Sequence, residues 1–290
     1  MNITNTQTVL LAGATGYLGG HIAKALVENQ YNAKLIARSV QKLQDLERKT
    51  VKIIKAEVTQ PETLKGICEG VTTVISTVGI TRQKEDLTYM DVDYQANLNL
   101  LREAQKAGVK KFIYISAING HKYRHLKIFE AKEKFVDAVK NSGLDYTIIR
   151  PNGFFSDMKD FLDMAKRGII YLFGNGEQKF NPIHGEDLAI VCLQAIKTKN
   201  TEIVVGGPDV LTLNEIGEMA LDAWQKPIKI MHLPDWIRRF AISSLRTFAS
   251  SKVYGPIEFF LTLMAEDNIA PRFGTKRLHT FFKDEVSSLQ

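Results

Sequence analysis

Residues 9–26, VLLAGATGYLGGHIAKAL, restrict the fold more than any other stretch of the sequence. An apolar run reads as a buried strand, glycines at 13, 16 and 19 interrupt it, and apolar residues then resume at helical spacing. A chain leaves a strand through glycine when it must turn tightly, approach a ligand closely, or pack helix on strand with no Cβ in the way. Gly13, Gly16 and Gly19 suit those three tasks in order, and the helix start adds N–H groups with partial positive charge. The turn Gly13-Ala14-Thr15-Gly16-Tyr17-Leu18-Gly19 is therefore expected to hold the diphosphate of a dinucleotide.

Short β-branched runs at 8–12, 33–37, 51–56, 73–77, 111–116 and 146–150 alternate with longer segments of helical period. Runs apolar on both faces describe buried parallel strands, and the helical stretches between them are crossovers. The expected fold is α/β, a doubly wound parallel Rossmann sheet with a smaller carboxy-terminal substrate lobe. Residues 1–155 would form the nucleotide-binding domain, and 156–290 a mixed lobe that returns to the sheet at about 184–206. Within the lobe the pattern predicts helices at 158–167 and 186–196, a turn at Gly174-Asn175-Gly176, and a capping box at Thr212 and Glu215. Two amphipathic helices follow, one with Ile237, Phe240, Ala241, Leu245 and Phe248 along one side. The other begins after Pro256 with Ile257, Phe260, Leu261 and Met264.

A chain of 290 residues buries about three quarters of its unfolded surface, so it needs no disulfide or metal staple. Its two cysteines, Cys68 and Cys192, sit far apart in apolar segments, as buried thiols of a reducing compartment do. The first residues, MNITNTQ, lack a cationic stretch ahead of an apolar one, and no apolar run reaches membrane-spanning length. A cytoplasmic location is expected. The net charge of +6 favours anionic partners, yet the basic residues are dispersed and no nucleic-acid motif accompanies them. No metal site is expected.

The spacing G-x-x-G-x-x-G around Ala14-Thr15 resembles the extended and atypical short-chain dehydrogenase/reductases. The chain as a whole is similar to the branch that includes the negative nitrogen regulator and the isoflavone reductases. Its second half, with FGNGEQKFNPIHGEDLA, VVGGPDVLTLNEIGEM and YGPIEFF, is most similar to the divinyl chlorophyllide 8-vinyl reductases. Arg38-Ser39 closes the second strand where an NAD enzyme places an acid for the ribose 2′-hydroxyl, and a guanidinium there can take a 2′-phosphate bidentately. NADP(H) is thus expected over NAD. By resemblance, Glu57 and Val58 flank the adenine, with Glu57 replacing the usual Asp. Thr77, Val78 and Gly79 back the ribose and phosphates, Asn97 matches a helix asparagine of the extended enzymes, and Pro151 and Phe154 pass the nicotinamide.

In that family a serine at the end of the fifth strand precedes Tyr-x-x-x-Lys. Ser116 matches the serine and Lys132 the lysine, but Ile128 stands where the tyrosine is expected. Tyr123 and Lys127 have the right mutual spacing but follow Ser116 too soon. Without a firm acid at oxygen, hydride transfer to a conjugated C=C bond is easier to support than reduction of an isolated ketone. Ser116 and Lys132 are the expected catalytic residues, and Lys132 would also hold the nicotinamide ribose. The expected function is an NADPH-dependent reductase of a conjugated, apolar small molecule; the alternative is an NADP(H)-binding regulatory or assembly protein without turnover. His184 and Asp187 read as helix-start and structural groups, Asp187 as a cap. The basic stretch 234–251 packs within the lobe or, alternatively, lies on a membrane surface. The sequence leaves oligomeric state open.

Overall fold

The computed structural model describes residues 7–81 and 87–289, so residues 1–6 of the amino-terminal reading above lie outside the described residues. The chain forms two compact units: the first runs to Arg150 and includes Leu188–Ile203, and the second comprises Pro151–Asp187 and the chain from Val204 onward.

The first unit opens with strand β1 (Thr8–Ala12), helix α1 (Tyr17–Glu28), β2 (Asn32–Ala37), β3 (Val51–Lys55) and β4 (Thr73–Ser76). A π-helical turn at Met90–Ala96 runs into α2 (Asn97–Lys106), followed by β5 (Lys111–Ile115), α3 (Lys127–Lys140) and β6 (Asp145–Pro151). Past β6 come α4 (Lys159–Lys166), β7 (Ile170–Phe173) and β8 (Lys179–Phe180), and then α5 (Gly185–Ala195) and β9 (Thr201–Val205) return to the sheet.

That sheet has the order β3-β2-β1-β4-β5-β6-β9, with parallel pairing from β3 through β6. Val9–Ala12 of β1 are wholly buried, as a central parallel strand requires. Strand order reverses between β1 and β4, and in open α/β sheets the crevice beyond the carboxyl ends at this switch point is where ligands bind. Leu10, Val74, Phe112, Tyr114, Phe135 and Ile148 build the core on one face of the sheet.

The second unit adds β10 (Leu211–Thr212), α6 (Leu213–Ala223), β11 (Ile230–Leu233), α7 (Asp235–Phe248), α8 (Ser251–Leu263) and α9 (Leu278–Ser287). β7 pairs in parallel with β11, and β8 antiparallel with β10. Phe155, Phe161, Ile170, Ile216 and Phe282 form its core. The capping box is present: the Glu215 amide donates to Thr212 Oγ1 at 3.1 Å, and the Thr212 amide donates to Glu215 Oε2 at 2.7 Å.

Two expectations about the second unit need correction. Pro256 lies inside α8 rather than ahead of it, because the helix starts at Ser251; as the sixth helical residue it has no amide to bond the carbonyl four residues back. The side of α7 read as packed is only partly so: α7 sits against α8 and β7 with Ile237, Ala241 and Leu245 half-buried, while Phe240 and Phe248 stay exposed. Both cysteines are buried and unpaired with each other, and burial pushes the Cys68 thiol up to about 12. Among the described residues no helix is long and apolar enough to cross a membrane, and no cluster suited to a metal ion occurs.

Candidate functional site

At the carboxyl ends of β1, β2, β3 and β4 the first unit contains a cleft of about 350 Å³. Gly13, with φ +83°, adopts a conformation other residues seldom tolerate, and a Cβ there would collide with the Thr77 side chain. A Cβ on Gly19 would land on the Gly13 carbonyl oxygen, well inside van der Waals contact. Thr77 Oγ1 donates to Ala12 O at 3.0 Å and so pins the turn from the β4 side. Gly16 caps α1 and has no side chain to satisfy the first-turn amides, the arrangement in which an anion can take that place. The cradle therefore fits a dinucleotide diphosphate, and filling it with any side chain would destroy it.

Of the expected residues, Gly13, Thr15, Gly16, Arg38, Glu57, Val58, Thr77, Val78 and Gly79 line this one cleft. Arg38 Nη1 stands 3.7 Å from Glu57 Oε1. Arg38 keeps 61 % of its side chain exposed, so the guanidinium is accessible to a ligand that can compete with Glu57. Sequence reasoning did not name Ile36, Ala56, Ile80, Leu87 and Val92, which supply apolar wall. They sit at strand ends, in loops or, for Val92, in the π-helical turn, and carry no motif.

The other expected residues lie elsewhere. Leu18 and Gly19 are buried under the turn, and Tyr17 packs edge-on against His21 at 5.1 Å. Ser39 Oγ donates to Gln41 Oε1 at 3.0 Å. Asn97 is wholly buried; its Nδ2 donates to Val78 O, Val92 O and Asp93 O at 3.1, 3.2 and 3.0 Å, and Ser76 Oγ donates to its Oδ1 at 2.5 Å. Asn97 thus fastens the π-helical turn to the Val78–Gly79 wall of the cleft. Pro151 and Phe154 belong to the second unit, where the Phe154 amide donates to Asp157 Oδ2 at 3.0 Å. Asp187 also serves that unit, accepting from the Thr275 and Lys276 amides at 3.1 and 3.0 Å.

Lys132 and Ser116 sit in two separate buried networks. Lys132 Nζ lies 2.7 Å from Asp93 Oδ1 and 5.8 Å from the centre of the Tyr114 ring. A Cβ on Gly79 would meet Lys132 Nζ at 2.9 Å, so the pair lies directly behind a residue that lines the cleft. Burial opposes the Lys132 ammonium, but the adjacent Asp93 carboxylate outweighs it and holds the amine above its ordinary value, hence protonated. Asp93 Oδ2 also accepts from the Ile80 amide at 3.2 Å. Sequence reasoning missed Asp93; its place one helical turn before Asn97 was the available signal. Ser116 Oγ donates to Glu133 Oε1 at 3.0 Å, and Arg150 grips the same carboxylate through Nη1 and Nη2 at 2.5 and 3.0 Å. Ile128, one turn before Lys132, is buried.

The second unit contains a larger cavity of about 650 Å³, within the range of small-molecule sites. Its wall is mostly apolar, with Phe161, Met164, Leu172, Leu213 and Phe260 among the lining residues and Asp235, Arg238 and Arg239 also contributing.

Residues 13–199 match the NAD(P)H-binding family. The photosystem II assembly factor Ycf39 of Synechocystis is 31 % identical over 150 residues, covering 52 % of this chain and about half, 46 %, of that protein's length. The divinyl chlorophyllide a 8-vinyl-reductase of Zea mays is 26 % identical across 95 % of this chain and 78 % of its own. The fold matches that of the NADPH-dependent quinone oxidoreductase QOR2 of Escherichia coli with a TM-score of 0.69, at 17 % identity over 97 % of this chain and 99 % of that one. The chain belongs to the NAD(P)H-binding family, as an atypical short-chain dehydrogenase/reductase with a Rossmann sheet.

Proposed function

We propose that the chain is an NADPH-dependent reductase that delivers hydride to a conjugated C=C bond or a related acceptor. The observation that carries this reading is Ile128: an aliphatic side chain is buried where the usual acid of the family would stand, one turn before Lys132. A reduced nicotinamide, when bound, supplies the hydride. An isolated ketone would need a firm acid at its oxygen, whereas a conjugated acceptor takes hydride at one carbon and a proton from solvent at its partner carbon. Gly13, Gly16 and the amino end of α1 would hold the diphosphate, and Arg38 a ribose 2′-phosphate, which favours NADP(H) over NAD. Glu57 and Val58 would flank the adenine. Lys132, kept protonated by Asp93 behind Gly79, would place a fixed positive charge beside the bound cofactor. The apolar cavity of the second unit and the name of the maize relative both suit a conjugated, apolar acceptor. NADPH oxidation by the full chain should be screened against vinyl tetrapyrroles, enones and quinones, with Lys132→Ala as control. Turnover with at least one class, reduced in the variant, is expected; no turnover with any class contradicts the reading.

A second reading is an NADP(H)-binding assembly or regulatory protein, in keeping with the name of the Synechocystis relative. It is favoured by the engagement of both expected catalytic groups in internal networks, Ser116 with Glu133 and Lys132 with Asp93. Under it NADP+ and NADPH bind with similar affinity, and Lys132→Ala leaves cellular function intact.

A further inference from the structure

Helix α7 has no buried residue, although it contains Trp236, Phe240 and Phe248, which are 66 %, 67 % and 89 % exposed. At 100° per residue these three aromatics fall within an arc of about 120°, with Trp236 and Phe240 turned well away from the half-buried Leu245 and Phe248 at the edge nearer to it. Arg239 and Arg246 border that side and are largely exposed. Val253 and Ile257 of α8 are exposed as well. An isolated surface leucine is unremarkable, but three large aromatics on one helical face mark a surface that something covers.

Charge and residue type indicate what covers it. Arg238, Arg239, Arg246 and Lys252 stand against Asp235 and Glu258 on the two helices, four cations to two carboxylates. Asp235 is shared by Arg238 and Arg239 at 2.6 and 2.7 Å, and Glu258 receives Arg246. The two helices therefore keep a positive surplus, with Arg239 and Arg246 the cations nearest the aromatics. That combination suits the boundary between lipid headgroups and acyl chains, where Trp and Phe bury their rings and Arg meets phosphate. A second copy of the chain, docked through a two-fold axis, would bring the same arginines of both helices toward each other, and like charges oppose such a dimer.

We propose that α7 is an interfacial helix that seats the protein on an anionic lipid surface. The same two helices contribute to the wall of the 650 Å³ cavity, so a seated protein presents an apolar cavity next to the bilayer. The proposal stands independently of the reductase reading.

Flotation of the full chain with vesicles of phosphatidylcholine alone, and of phosphatidylcholine with phosphatidylglycerol, tests it. The wild type should float with the mixed vesicles, lose binding as salt rises, and remain behind with phosphatidylcholine alone. Replacing Trp236, Phe240 and Phe248 together by Ser should weaken partitioning about tenfold or more while leaving the thermal melt in place. In Trp224→Phe, the emission of Trp236 should shift to the blue on vesicle binding. Wild-type protein that fails to float with anionic vesicles overturns the proposal, as does a triple serine variant that floats equally well. A concentration-dependent dimer that the triple variant abolishes, without flotation of the wild type, would assign the face to a second copy instead.

Discussion

Lys132 and Asp93 form an ion pair at 2.7 Å, with 13 % and 0 % of their side chains exposed, directly behind Gly79, which lines the cleft at the switch point of the sheet. The pair ties α3 to the π-helical turn before α2, and so couples the shape of the cleft to a buried charge.

Removing one partner of such a pair costs about 3–5 kcal/mol, because the survivor is left buried and must either remain charged without compensation or, as burial already favours for Asp93, take up a proton. Lys132→Met should lower the urea-unfolding free energy by roughly that amount, and Asp93→Leu added to it should recover part of the loss. A single variant that unfolds at the wild-type urea concentration would show that the pair is not buried in solution.

Glu57 and a bound 2′-phosphate would compete for the Arg38 guanidinium, which stands 3.7 Å from the Glu57 carboxylate. A charge-assisted hydrogen bond to phosphate contributes about 1.5–3 kcal/mol, ten- to a hundredfold in affinity. Arg38→Asp should therefore erase the preference for NADPH over NADH in a binding titration, and Glu57→Gln should strengthen NADPH binding by freeing the guanidinium. An unchanged NADPH-to-NADH ratio in Arg38→Asp would remove the assigned role.

Asp157 should make stability depend on pH with an inverted sign. Burial raises its carboxyl to about 6, only partly opposed by the Phe154 amide. The unfolded chain releases this proton near 3.9, so stability present below that pH is lost as pH rises through about 6. Asp157→Asn, which keeps an acceptor for the amide, should raise the melting temperature at about pH 8 and change it little at about pH 4. An equal effect at both pH values would contradict the burial of this carboxyl.

The glycine turn can be probed for strain as well as for contact. Gly13→Ala meets both a left-handed backbone and the Thr77 side chain, a cost of about 1–3 kcal/mol, and should weaken nucleotide binding more than it lowers the melting point. Wild-type nucleotide affinity in the variant would show that the turn does not approach the ligand.

That Gly13, Gly16, Arg38 and Glu57 share one cleft was legible because it depends on local rules. Gly13, Gly16 and Gly19 lie in the strand-to-helix turn and its first helical residues, Arg38 follows β2 directly, and Glu57 stands two residues past β3. The polar networks were not legible in the same way. Asp93 meets Lys132, and Glu133 meets Arg150, across segments that only the folded sheet brings together, so although the spacing of Asp93 from Asn97 could have marked Asp93 itself, no spacing rule announces either pairing. Asn97 was singled out by position, but its four hydrogen bonds depend on a π-helical turn that periodicity does not reveal. The apolar pattern of α7 predicted a packed side, yet Phe240 and Phe248 face outward. Periodicity shows that a helix has an apolar face without showing what covers it.

Calorimetric titration of the full chain with NADPH tests the central claim most directly, that the amides of the β1–α1 turn clasp the diphosphate of a nicotinamide nucleotide. Saturable heat at one nucleotide per chain, lost in Gly19→Ala, is the predicted result. A wild-type chain that gives no heat at saturating NADPH, NADP+, NADH and NAD+ would contradict it.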